Sequence, residues 1–403
     1  AWSGGRLFVP GCDGWIYALD AASGRLAWKR RLAPFERRIL MFDQLVSTWP
    51  VLSLVVEPGT VYAAAGHTPT EGVKTFALDA ATGEIRWSHV EEPSPMNQGV
   101  GGSMAIVNDR VWATGYFSQP LALGRSDGMD HRAELKRKLI GRTIPRTLLV
   151  RGRDMLRIDD NLVLAGGEDL LVNHQMRHGK SNRTIYRLFY CNGEGDWVLE
   201  PGSRTMPRKI FNTIIPPACD DELLVAAGPP PGKYHRPHCT VGLYVWQLAD
   251  FREAAAALQK KPTAFKERPG RLYIQAGTEF HKDHMGLISY EKVAWHKPDL
   301  HINALALSKD AVLVAYGVQE ELLLVNLLNQ YRRRPNGMPI ERARGPNQRF
   351  KAWKLAAFSR DGRETFWEVD LPQEPLFSGL AVARDGSVLV TLRDGSIVCV
   401  REE

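Results

Sequence analysis

An all-β fold assembled from repeated four-stranded antiparallel units is predicted by three observations. A twelve-residue frame occurs twice, as Tyr17-Ala-Leu-Asp-Ala-Ala-Ser-Gly-Arg-Leu-Ala-Trp28 and as Phe76-Ala-Leu-Asp-Ala-Ala-Thr-Gly-Glu-Ile-Arg-Trp87. A short apolar strand recurs at Leu7–Gly11, Val61–Gly66, Val111–Gly115, Leu162–Gly166, Leu223–Gly228, Val312–Gly317 and Val388–Leu392. Only Phe251–Gln259 reads convincingly as helix. The apolar strands lie about 50–60 residues apart through Leu223, which is room for four short strands and their turns, and self-similarity at that period marks the blade of a β-propeller.

The shared frame, Ala-x-Asp-x-x-(Ser/Thr)-Gly-x-x-x-Trp, reads as a hairpin whose second strand carries the tryptophan. Asp20 and Asp79 can accept backbone N–H bonds in the turn, and Ser23 and Thr82 do so more weakly. Gly24 and Gly83 suit a position with positive φ. Trp28 and Trp87 place large apolar surfaces where neighbouring units would stack.

Further along, Gly99-Val-Gly-Gly102 leads into the apolar strand Met104–Val107. A phosphate cradle needs a helix N-terminus, so these glycines read as tight packing. Trp197 and Trp367, each following a glycine turn, read as degraded copies of the frame, and Trp295 holds the same place without the glycine. The wide gap between Leu223 and Val312 is read as one blade with an insertion over about 229–300, including the helix behind Asp250 as N-cap. Alternatively, Arg271–Gly277 begins an eighth blade. A second insertion, about 331–350, is polar and rich in Arg, Pro and Gly. The expectation is a single propeller domain over residues 1–403, with seven blades or eight. The last unit supplies no tryptophan-bearing fourth strand and the first has little ahead of its second strand. Because a propeller normally closes by pairing strands from both termini, the chain is expected to be a segment of a longer one.

Hydrophobic residues make up 44% and charged residues 24%, which excludes bulk disorder. No run approaches the length of a transmembrane helix. The 52 basic and 45 acidic residues leave a net charge of +7. Much of the excess is local: ten Lys/Arg stand against four Asp/Glu between Arg125 and Arg157, and six arginines lie within Tyr331–Lys351. Neither segment interleaves aromatics as a base-stacking surface would, so specific nucleic-acid binding is not expected. The five cysteines include no C-x-x-C, which argues against a zinc ribbon or a thioredoxin-like motif.

The frame resembles the tryptophan-docking repeat of the quinoprotein alcohol dehydrogenase-like superfamily, the PQQ-like propeller repeats. The resemblance is specific at Asp20, Gly24 and Trp28 and at Asp79, Gly83 and Trp87, and it implies a propeller of four-stranded blades. The superfamily includes dehydrogenases that use pyrroloquinoline quinone with calcium. It also includes non-enzymatic propellers, such as the lipoprotein that scaffolds outer-membrane protein assembly. In the enzymes a vicinal disulfide covers the cofactor, and this sequence has no adjacent cysteines. The resemblance therefore implies fold more than chemistry, and by itself it implies a periplasmic or extracellular location.

Two histidine clusters, His235-Arg-Pro-His238-Cys239 and His281-Lys-Asp-His284, together offer four imidazoles and a thiol, a donor set suited to zinc or copper. The plainer reading is exposed loop histidines. His174 and His178 have helical spacing but lack the glutamate of a zincin motif. No nucleophile elbow and no Walker loop is present.

The leading expectation is a non-catalytic, monomeric propeller scaffold, with no cofactor, that binds a protein or cell-envelope ligand through its loops. The alternatives are a dehydrogenase dependent on pyrroloquinoline quinone and calcium, and a binder of acidic polysaccharide acting through the two basic segments.

Overall fold

All seven short apolar runs are strands in the computed structural model, and each pairs antiparallel with its neighbours. The structure describes residues 1–41, 44–66, 72–91, 100–115, 121–130, 154–160, 162–166, 185–190, 208–212, 215–227, 241–259, 266–268, 271–273, 293–319 and 350–401. The chain divides into two compact units, Ala1–Asn212 with Ala255–Met285 and Thr213–Ala254 with Gly286–Glu403.

The first unit begins with a blade of β1 (Trp2–Ser3), β2 (Arg6–Pro10), β3 (Trp15–Asp20) and β4 (Leu26–Arg31), hydrogen-bonded in that order. A separate two-stranded hairpin follows, β5 (Arg38–Met41) with β6 (Gln44–Ser47). The next blade is β7 (Val51–Glu57), β8 (Thr60–Ala65), β9 (Val73–Asp79) and β10 (Ile85–Glu91). Then come β11 (Val100–Val107), β12 (Arg110–Gly115) and β13 (Leu121–Gly124), followed by the four strands β14 (Asp154–Asp159), β15 (Leu162–Gly166), β16 (Ile185–Tyr190) and β17 (Arg208–Asn212). The fold is thus a propeller of antiparallel blades.

Stacking of blades explains the composition of the second strands. All six residues of β8 are buried. Val61, Ala63 and Ala65 pack with Phe8, Ile16 and Ala18 of the preceding blade, whereas Tyr62 and Ala64 pack with Val111, Ala113 and Leu123 of the following one. Successive side chains of a strand point to opposite faces, so a strand covered on both faces must be apolar throughout. Small alanines let the sheets approach. The first strands of successive blades also meet, β7 against β11 and β11 against β14.

In the second unit one sheet holds β18 (Ala218–Cys219), β19 (Leu223–Ala227) and β20 (Val241–Gln247), and it continues after the helix α1 (Leu248–Gln259) and the short hairpin β21 (Lys266–Arg268) and β22 (Arg271–Tyr273). That hairpin is a two-stranded sheet of its own and lies in the first unit. The continuing strands are β23 (Trp295–Leu307), β24 (Ala311–Gln319), β25 (Phe350–Ser359) and β26 (Thr365–Leu371). β23 serves two blades: Trp295–His301 pairs with β20, and His301–Leu307 pairs with β24. The β20 ladder slips between Val241 and Leu243, opposite Pro298, which has no N–H to give. A last sheet contains β27 (Pro375–Val382), β28 (Val388–Leu392) and β29 (Ile397–Val400).

Within the stretch 229–300 read as an insertion, Val241–Gln247 and the start of β23 are strands of the sheet that also holds β19 and β24. The helix starts at Leu248, and Asp250 therefore sits within its first turn and not at its cap. Leu248 and Phe251, 1% and 0% exposed, anchor that turn, with Phe251 against Trp246. Of the polar insertion 331–350, only Phe350 lies within the described residues.

Candidate functional site

Trp28, Trp87 and Trp295 each build a joint between blades, whereas Trp367, read as a degraded copy of the frame, packs against the core around Leu371 and Val390. The indole N–H of Trp28 donates to the carbonyl of Ala80 at 3.1 Å, that of Trp87 to Arg125 at 3.1 Å, and that of Trp295 to Arg360 at 2.8 Å. In every case the acceptor lies in the turn before the last strand of the following blade, or in its counterpart after β13. The ring then covers a glycine of that turn. A Cβ on Gly83, Gly128 or Gly362 would stand 2.7, 2.5 or 2.4 Å from the indole, and these glycines have φ of 73°, 70° and 74°. Only glycine meets both demands. The equivalent Gly24, with φ of 69°, has open space above it.

The aspartates brace the turns from within. Asp20 Oδ1 accepts from the Ser23 N–H at 2.8 Å and from its hydroxyl at 2.6 Å. Asp79 Oδ1 accepts from the N–H groups of Ala81 and Thr82 at 2.8 and 2.9 Å, and Asp79 Oδ2 from Arg86 at 2.7 Å. The Arg86 hydrogen bond, followed by those backbone donors, lowers the Asp79 carboxyl to about 2.

An arginine clamps each joint, and the repeated frame includes none of them. Arg6 donates to the carbonyls of Ala80 and Ala81. Arg125 and Arg360 occupy the acceptor position themselves and reach out with their side chains. Arg360 holds Asp220 at 2.7 and 3.1 Å, Glu222 at 3.1 Å and the Ser308 carbonyl at 2.9 Å. Burial raises the Asp220 carboxyl, but the Arg360 bonds and the backbone N–H groups of Leu223 and Glu222 outweigh it and leave it below its ordinary value.

The Arg125 joint opens onto a cavity of about 600 Å³ between the ends of β7, β11 and β14. Its apolar wall includes Val55, Met104, Ile106, Met155 and Leu156. Its polar rim is one continuous chain of hydrogen bonds across three blades. The Tyr62 hydroxyl donates to Glu57 at 2.7 Å, and Glu57 accepts from both Arg125 Nε, at 2.9 Å, and a terminal Arg125 nitrogen. Arg125 Nη1 donates to the Asn108 carbonyl at 3.2 Å, the Asn108 amide donates to the Asp160 carbonyl at 2.7 Å, and Arg157 pairs with Asp160. Asn108 takes φ of 47°, in the left-handed region that asparagine tolerates better than most residues. Burial, then Glu57, pushes the Tyr62 hydroxyl well above its ordinary value, keeping it a proton donor. Both rim carboxylates face guanidinium groups, so a calcium ion placed there would have to displace an arginine.

The sequence-selected metal candidates His235, His238, Cys239, His281 and His284 lie outside the described residues, as do His174, His178 and Trp197. Among the described residues no three His, Cys, Asp or Glu side chains converge as metal ligands, and no helix is long and apolar enough to cross a membrane. Of the first basic segment, Arg125 and Arg157 are both ion-paired, and residues 131–153 lie outside the described set. Glu57-Pro-Gly and Asn108-Asp-Arg are turn signals that a reader of the sequence could have used to place the rim.

Residues 1–131 match the family model described as outer membrane protein assembly factor BamB. No curated protein sequence matches the chain. Among solved structures, the chain is similar to BamB from Moraxella catarrhalis at 16% identity and a TM-score of 0.43, covering 100% of this chain and 87% of that one. It is also similar to the quinohemoprotein alcohol dehydrogenase from Comamonas testosteroni, at 14% identity, a TM-score of 0.46 and 98% coverage of this chain. It spans 63% of that enzyme, less than two thirds of its length. A third similar structure is Sqt1 from Saccharomyces cerevisiae, at 10% identity and a TM-score of 0.46, covering 98% of this chain and 80% of that one. The family model thus falls on the first blades and spans the Trp28–Gly83 and Trp87–Gly128 joints, about a third of the chain.

Proposed function

We propose that this protein is a non-catalytic scaffold of the cell envelope that holds a polypeptide at the cavity between β7, β11 and β14. The observation that carries the reading is the rim itself. Its charges are spent on one another, from Tyr62 through Glu57, Arg125 and Asn108 to Asp160, so they fix the positions of three turns. Beside them stands an apolar wall of aliphatic and methionine side chains, which suits contact with a partner's side chains. The match of residues 1–131 to a family named for outer-membrane assembly supports a protein partner and an envelope location.

The test uses the full chain in its own cells, with a photo-crosslinking residue at Pro58 or Asp160. One discrete polypeptide, identified by mass spectrometry and absent when the crosslinker stands at Ser23, is the expected result. Stoichiometric binding of pyrroloquinoline quinone with calcium, together with dye-linked alcohol oxidation, would overturn the scaffold reading.

A further inference from the structure

The hairpin of β5 and β6 stands apart from the blades. It falls between the fourth strand of one blade and the first strand of the next, where a propeller needs only a connection. Antiparallel pairing sets Leu40 opposite Leu45 and Arg38 opposite Ser47, so Arg38, Leu40 and Leu45 share one face. Leu40 is 72% exposed and Leu45 68%, whereas Ile39 and Val46 on the other face are only partly so. Two directly opposed leucines thus face solvent on a four-residue ribbon, and Phe35 adds a third exposed apolar side chain nearby in sequence. At its base the hairpin is held in place by the Ser47 N–H, which donates to the Cys12 carbonyl at 2.8 Å, while the Thr48 N–H closes the ladder on Arg37 at 2.9 Å.

We infer that this hairpin is a docking strand for an extended segment of a partner polypeptide in which alternate apolar residues are flanked by carboxylates. The inference rests on the scaffold reading and gives it a partner chemistry. Two features select that occupant. The hairpin has no third strand among the described residues, and while the outer edge of β6 is taken at Ser47 by Cys12, the outer edge of β5 offers backbone groups that an added strand would pair and that a lipid surface would leave unpaired. The flank is also basic: from Lys29 to Arg38 five residues are basic and one, Glu36, is acidic. Glu36 pairs with Arg38 at 3.2 Å with both side chains exposed, a contact that a partner carboxylate can replace at little cost. Alternate apolar residues fall on one face of an added strand, beside Leu40 and Leu45.

The experiment titrates the full chain into a labelled nonapeptide, Asp-Asp-Leu-Thr-Leu-Thr-Leu-Asp-Asp, followed by fluorescence anisotropy. Saturable binding is expected, weakened roughly tenfold or more by Leu40→Asp with Leu45→Asp, as befits withdrawing two leucine side chains from a contact. Arg38→Glu, a milder change that leaves both leucines, should weaken it severalfold, and so should lysine in place of the peptide's aspartates. N-methylation of alternate peptide backbone nitrogens should abolish it. Absence of binding to the unaltered chain, or equal binding by both variants, overturns the proposal. Leucine-dependent binding to phosphatidylglycerol vesicles without peptide binding also overturns it and assigns the hairpin to a lipid surface. These outcomes leave the crosslinks at Pro58 and Asp160 untouched, so failure here is distinct from failure of the scaffold reading.

Discussion

The carbonyl of Arg125 accepts the indole N–H of Trp87 at 3.1 Å, while the guanidinium of the same residue closes on Glu57. One residue thereby joins the packing of two blades to the rim of the cavity. The Tyr62 hydroxyl, whose proton goes to Glu57, lies 3.2 Å from the same carbonyl. Arg360 repeats the device in the second unit, with Trp295 on its carbonyl and Asp220 on its side chain.

Replacing Arg125 with Met keeps the docking carbonyl and removes only the clamp. Its side chain is 42% exposed, so solvent screening limits the expected loss to about 1 kcal/mol in urea unfolding. Trp87→Phe keeps most of the ring and removes the N–H donor, and it should cost a similar ~1 kcal/mol. No loss in Arg125→Met would mean that the Glu57 contact adds nothing to stability.

The turn glycines allow a matched comparison. Gly24 and Gly128 have nearly the same φ, 69° and 70°, yet only Gly128 lies under an indole. Alanine at either site carries a backbone cost of about 1 kcal/mol, and at Gly128 the clash with Trp87 adds roughly 1–3 kcal/mol. The shift in denaturation midpoint should therefore be clearly larger for Gly128→Ala than for Gly24→Ala. Equal shifts would show that the indole moves aside freely.

The blade joints were partly legible in the sequence because their makers are local. Asp79, Gly83 and Trp87 fall within nine residues of one another, and turn chemistry fixes that spacing. The partners of Trp87 were not legible, since Arg125 is reached only through the stacking of one blade on the next. Trp295 shows the limit from the other side. It has no glycine turn of its own ahead of it, yet it docks on Gly362 as Trp87 does on Gly128. Continuous β23 was hidden for a similar reason: Pro298 reads as a strand breaker, and it is accommodated where β23 bulges, Lys297–His301 facing only Val241–Leu243. The β5–β6 hairpin interrupts no repeat spacing strongly enough to stand out.

Arg360 and Asp220 supply a test of coupling across the second unit. Their side chains are 19% and 33% exposed, more sheltered than an ordinary surface pair. A double-mutant cycle with Arg360→Met and Asp220→Asn should give a coupling energy of about 1 kcal/mol. Simple additivity would instead mean that Asp220 serves only the Leu223 and Glu222 N–H groups, which it accepts at 2.8 and 2.9 Å.

Asp79 gives the joint a pH dependence whose sign is fixed. Its carboxyl lies at about 2 in the folded chain against an ordinary 3.8, because Arg86 and the turn N–H groups favour the charged form. A group whose pKa falls on folding binds fewer protons in the folded state, so its contribution is complete above the ordinary value and fades as pH drops through the folded one. Asp79→Asn retains a turn acceptor but cannot titrate. The difference in Tm between the unaltered chain and Asp79→Asn should be largest near neutral pH, narrow as the pH falls from 3.8 toward about 2, and close below that. Asp79 is partly exposed, its side chain 30% so, and the difference should also shrink with added salt. A difference that stays constant from neutral pH to below 2 would mean that the carboxylate charge does not stabilise the turn.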